Sequence, residues 1–76
     1  FWKVKKGSSI PTHNHIHEQT LYVKSGTFEL EVDSKIKILN KDEVCVIPSN
    51  VSHAGRAITD CELIDVFSPA RTEYSN

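Results

Sequence analysis

No stretch of this chain sustains an apolar period of 3.6 residues, because turn-forming residues break it every few positions, and a helical core is thereby disfavoured. The breaks are Gly7, Pro11, Ser25-Gly26, Asp33-Ser34, Asn40-Lys41-Asp42, Pro48-Ser49-Asn50 and Thr59-Asp60. Each of these residue types favours a turn, through a permitted backbone conformation or a local hydrogen bond. The intervals between them suit strands near residues 2–6, 9–15, 19–24, 27–32, 35–39, 44–47, 53–58 and 61–67. Thr27-Phe28-Glu29-Leu30-Glu31-Val32 alternates apolar and polar, as does Lys35-Ile36-Lys37-Ile38. The two runs flank Asp33-Ser34 and predict a hairpin with one wet face. Eight short strands in 76 residues predict an all-β fold, a small barrel or jelly-roll sandwich.

Length allows one domain, residues 1–76, which buries roughly 60% of the surface of its unfolded chain. With 38% hydrophobic residues, 25% charged residues and a formal charge of −1, the composition is that of an ordinary globular domain. It offers no basic field for nucleic acid or an anionic membrane. Apolar runs reach four residues at most, as in Val44-Cys45-Val46-Ile47, so neither a membrane-spanning helix nor a signal segment is expected. The reading leans cytoplasmic, and a start at Phe1 leaves room for residues upstream. Cys45 and Cys61 sit in apolar strand-like surroundings and are expected to be buried free thiols.

The segment His13-Asn14-His15-Ile16-His17-Glu18-Gln19 places three imidazoles at alternate positions and closes on an amide. On a strand, residues 13, 15, 17 and 19 would form one row on one face. His53 follows the Pro48-Ser49-Asn50 turn far along the chain. Neutral imidazoles joined by an oxygen donor are the set that closes around a divalent cation.

These positions resemble the two motifs of the cupin superfamily. The first reads G-x5-H-x-H, then an acidic residue, then x6-G; Gly7, His13, His15, Gln19 and Gly26 fall at its spacings, with Gln19 in place of the glutamate. The second reads G-x5-P-x-G-x2-H-x3-N, matched by Asp42, Pro48, Asn50, His53 and Ala57. Asn50 is a mild exchange for glycine, since asparagine also tolerates positive φ. The resemblance implies a cupin double-stranded β-helix whose metal ligands are His13, His15, Gln19 and His53. His17 would point inward by parity, but a loop or bulge before the fourth ligand would turn it away. Three imidazoles with an amide suit Ni, Zn, Mn, Co or Fe comparably. Gln19 leaves the ion with more positive charge than a glutamate would, which favours Lewis-acid chemistry over oxygen chemistry.

In Cys61-Glu62-Leu63-Ile64-Asp65-Val66-Phe67, Asp65 shares a face with Leu63 and Phe67, where an unpaired charge is costly. Either it pairs with backbone amides or Arg71, or it lines a metal cavity as a general acid/base. The tail Asp65-Val66-Phe67-Ser68-Pro69-Ala70-Arg71, with the histidine run, is similar to the small cupins of the pectin degradation protein family. That likeness implies ketonisation of 4,5-unsaturated uronates released from pectin or alginate, with Asp65 moving protons, Arg71 clamping the uronate carboxylate and Phe67 shaping the wall. The alternatives are a non-catalytic sugar or small-molecule sensor and a metal-dependent dioxygenase. Small cupins commonly pair, so a homodimer is expected, with Phe1-Trp2-Lys3-Val4 exchanged or laid across the partner, or Trp2 packed as ordinary core.

Overall fold

Asp33 and Ser34 both take positive φ, 50° and 65°, as a two-residue type I′ hairpin requires. They join two of the eight strands that the computed structural model, describing residues 1–68, assigns to the chain. These are β1 (Trp2–Val4), β2 (Ser9–His13), β3 (Glu18–Ser25), β4 (Phe28–Val32), β5 (Lys35–Leu39), β6 (Val44–Ile47), β7 (His53–Ala57) and β8 (Cys61–Ser68). All pairings are antiparallel, and the strands form two four-stranded sheets in the orders β1-β8-β3-β6 and β2-β7-β4-β5. This is the jelly-roll arrangement that the strand count predicts.

Alternation sets the interior. Leu21, Val23, Cys45, Ile47, Cys61 and Leu63 from the first sheet meet Phe28, Leu30, Leu39 and Ala57 from the second, all buried. Both cysteines are free and buried, as expected. Gly55 in β7 makes room for the core: a Cβ there would lie 2.3 Å from Phe28 Cζ. Gly26, at φ +85°, opens the β3–β4 connection.

Two strands are shorter than expected by two residues each. β1 stops at Val4, and Trp2 is 55% exposed rather than core. β2 stops at His13 instead of running to residue 15, after a register shift between Ile10 and His13 around Pro11, which has no N–H to give the ladder. The backbone beyond β2 bonds instead to the turn that precedes β7. Asn50 donates its N–H to the His15 carbonyl at 2.7 Å, and the Ser49 hydroxyl donates to the Ile16 carbonyl. Asn50 and Asp42 stand where the second cupin motif has glycines, and both adopt positive φ, 63° and 69°.

Candidate metal centre

The single histidine row does not form, because its members lie on three different pieces of chain. His13 ends β2, His15 and His17 lie in the β2–β3 connection, and Gln19 is the second residue of β3. Convergence comes instead from long-range pairing. His13 stands opposite His53 in the β2–β7 ladder, with ring centroids 4.2 Å apart. The Ser49 and Asn50 contacts fold the connection back so that the His15 ring comes within 5.0 Å of His53 and 5.7 Å of His13. One ring nitrogen from each of His13, His15 and His53 lies within 4.8 Å of the other two, close enough for one ion to hold all three.

The backbone fixes the tautomer of each ring. Nδ1 of His13 bonds the Pro11 carbonyl at 2.8 Å, that of His15 the His17 carbonyl at 2.8 Å, and that of His53 the Val51 carbonyl at 2.9 Å. A carbonyl oxygen only accepts, so each Nδ1 carries the proton and each Nε2 keeps its lone pair. Among the described residues, Nε2 of His15 and of His53 are buried without a hydrogen-bond partner. Buried polar atoms are rarely left so, and two neutral imidazole lone pairs beside a third are what a divalent cation accepts. Burial, aided by the neighbouring His13 and His15, holds the His53 imidazole below its ordinary pKa, against the opposing pull of the Val51 carbonyl and Asp65. The residues present therefore fit a metal ion.

Gln19 and Asp65 line the same cavity of about 280 Å³ as the three histidines. Gln19 is buried and donates its amide Nε2 to Asp65 Oδ1 at 2.7 Å. Cross-strand register pairs Gln19 with Phe67 and Leu21 with Asp65, so this bond runs diagonally between β3 and β8. Asp65 lines the cavity, and among the described residues its side-chain partner is Gln19; the Arg71 alternative lies outside the described residues. Phe67 is half exposed at the rim, its ring edge-on to His15 at 5.5 Å. His17 is exposed and outside the three-histidine group, contributing its carbonyl rather than its ring. Arg71 lies outside the described residues. Trp2, Val4, Ile10, Phe28 and Leu30 complete an apolar wall. Sequence reasoning missed that wall and the three carbonyls, which lie two residues from their histidines in a pattern with no compositional mark.

Comparison with known proteins agrees with the fold. Residues 1–67 match the family described as Cupin domain. The pectin degradation protein KdgF of Dickeya dadantii is 32% identical over 71 residues, covering 91% of this chain and 64% of that protein. A solved RmlC-like cupin from Shewanella frigidimarina superposes with a TM-score of 0.84 at 38% identity, over 95% of this chain and 65% of that one. KdgF from a Halomonas species gives a TM-score of 0.84 at 32% identity, over 95% and 67%. The chain thus spans about two thirds of the length of these relatives.

Proposed function

The chain belongs to the cupin domain family, and from that premise we propose that it is a metal-dependent enzyme acting on a small sugar acid. In this reading one cupin domain, residues 1–76, converts a cyclic 4,5-unsaturated uronate, of the kind lyases release from pectin or alginate, into the open-chain keto form. The likeness to pectin degradation proteins supports the substrate class. The observation that carries the reading is the pair of buried Nε2 atoms of His15 and His53, without a partner among the described residues, at a cavity whose described lining holds one carboxylate, Asp65.

When bound, a divalent ion of the Ni, Zn, Mn, Co or Fe class supplies Lewis-acid polarisation of substrate oxygens. His13, His15 and His53 hold it, with the Gln19 amide oxygen as the fourth donor. Asp65 carries the proton traffic. Its carboxylate takes the proton of the anomeric hydroxyl as the ring C–O bond breaks to leave an enolate, and Asp65 returns that proton to C4 as the enolate becomes the ketone. The conversion is an isomerisation with no net gain or loss of protons. Oδ1 is already bonded to Gln19, so Oδ2 is the oxygen left for this work. The apolar wall keeps bulk water from the enolate, and Phe67 packs one flank of the sugar. Arg71 clamps the uronate carboxylate.

The direct experiment follows the 4,5-unsaturated chromophore with purified, metal-loaded protein. Loss faster than the spontaneous rate supports the reading; the spontaneous rate alone removes it. We place the protein in the cytoplasm, with neither nucleic acid nor membrane as partner. Among the described residues no helix is long and apolar enough to cross a membrane. We also propose a homodimer, supported by the exposed Val44, Val46 and Val66 on the outer face of β6 and β8. Light scattering decides between the monomer and the dimer.

A further inference from the structure

The bond between Gln19 and Asp65 settles a question that the Gln19 side chain cannot settle for itself. A primary amide has two ends of nearly equal size, one an acceptor and the other a double donor. Only the oxygen end can bind a cation; the other presents two N–H groups and no free lone pair. An ionised carboxylate accepts and never donates, so the amide end 2.7 Å from Asp65 Oδ1 is Nε2, and the oxygen is left for the opposite side. Gln19 is only 8% exposed, and among the described residues Asp65 is the side chain that takes its N–H.

We propose that Asp65 is a positioning residue for Gln19, fixing the amide so that its oxygen, not its nitrogen, is offered to the cation held by His13, His15 and His53. The proposal rests on the reading of Gln19 as a ligand and assigns Asp65 a task separate from proton transfer. It also accounts for the amide at this position. A glutamate would bring two carboxylate oxygens together at the present 2.7 Å contact with no hydrogen between them. Gln19 and Asp65 are therefore a matched pair: the carboxylate that another cupin places on the metal stands here one hydrogen bond further out. Register makes this possible, because Asp65 sits opposite Leu21 and reaches Gln19 along the diagonal, while Phe67 takes the place directly across.

The test is a double-mutant cycle read by Co(II) binding and the visible spectrum of bound Co(II), with no substrate present. Asp65→Leu is expected to weaken Co(II) binding by about 10- to 100-fold and to alter the spectrum. Asp65→Asn, whose side-chain oxygen still accepts from Gln19, should stay within about threefold of the parent protein. In the Gln19→Ala background, Asp65→Leu should have no further effect on Co(II) affinity, because the group it orients is gone. Equal losses in both backgrounds, or an Asn variant as weak as the Leu variant, would overturn the proposal, as would unchanged Co(II) affinity in Gln19→Ala alone. Asp65→Ala serves as a second non-accepting variant, and thermal unfolding of each apoprotein identifies any that fails to fold. A protein that passes this cycle yet leaves the unsaturated uronate untouched keeps Asp65 in its positioning role and loses only the substrate assignment.

Discussion

His13 and His53 face each other across the β2–β7 ladder with ring centroids 4.2 Å apart, and both send Nδ1 to a backbone carbonyl two residues earlier. Two rings so close and so restrained have their remaining nitrogens set before any ion arrives. The rotamer freedom lost on ion binding is correspondingly small.

Removing one of these rings should therefore cost much of the affinity. His53→Ala is expected to weaken Co(II) binding by at least about 100-fold, more than loss of an outer partner does, with circular dichroism confirming the β fold. Competition against a chromophoric chelator measures it. Affinity within a few-fold of the parent would remove His53 from the ligand set.

Acid should loosen the apoprotein. Burial holds the His53 imidazole below its usual range, so the unfolded chain gains a proton at about pH 6.5 that the folded chain takes up only at lower pH. The stability this group contributes is present above that range and declines as pH falls through it. Protons also compete for Nε2, so Co(II) affinity should fall in the same direction. Urea unfolding midpoints between pH 8 and pH 5 test the first point. A midpoint that rises on acidification contradicts it.

Asp65→Asn separates the two tasks given to this residue. Its oxygen still accepts from Gln19, but it cannot carry a proton, so turnover of the unsaturated uronate at saturating metal should drop by roughly 10²- to 10⁴-fold. Metal content measured alongside should equal that of the parent. If turnover survives, Asp65 positions Gln19 and does no proton transfer.

Most of the fold was legible because both of its signals are local. Alternation in β4 and β5, with Asp33-Ser34 between them, names the hairpin before any contact is known. Asn50 tolerating a left-handed backbone in place of glycine was likewise readable, and Asp42 does the same. The site was legible as a set of residues but not as an arrangement. Alternation predicted one row of histidines, whereas Pro11 and the register shift end β2 at His13. What brings His15 back is a pair of hydrogen bonds from Ser49 and Asn50, more than thirty positions away, and sequence periodicity carries no trace of such bonds. The alternative that packs Trp2 as ordinary core failed for a similar reason. Three residues of β1 pair with β8 on one side only, which leaves the indole at the open side of the cavity.

Gly26 is the position in the first motif where the backbone tolerates no side chain. A Cβ there would sit 2.1 Å from the Asp60 carbonyl oxygen, and the residue holds φ at +85°. Gly26→Ala should cost about 2–4 kcal/mol, combining the left-handed penalty with forced displacement of the β7–β8 turn. Gly7→Ala shares the positive φ but meets no atom within 4 Å, so it should cost less. Thermal denaturation of the pair checks the order; equal losses would show that the contact with Asp60 is readily relieved.

The most direct measurement of the central claim is a crystal structure of the Co(II)-loaded protein with anomalous scattering recorded at the cobalt edge. The account predicts one strong peak bonded to Nε2 of His13, His15 and His53 and to Oε1 of Gln19, with Gln19 Nε2 still on Asp65. A peak bound through any Nδ1, or an ion that leaves Gln19 out, would contradict it.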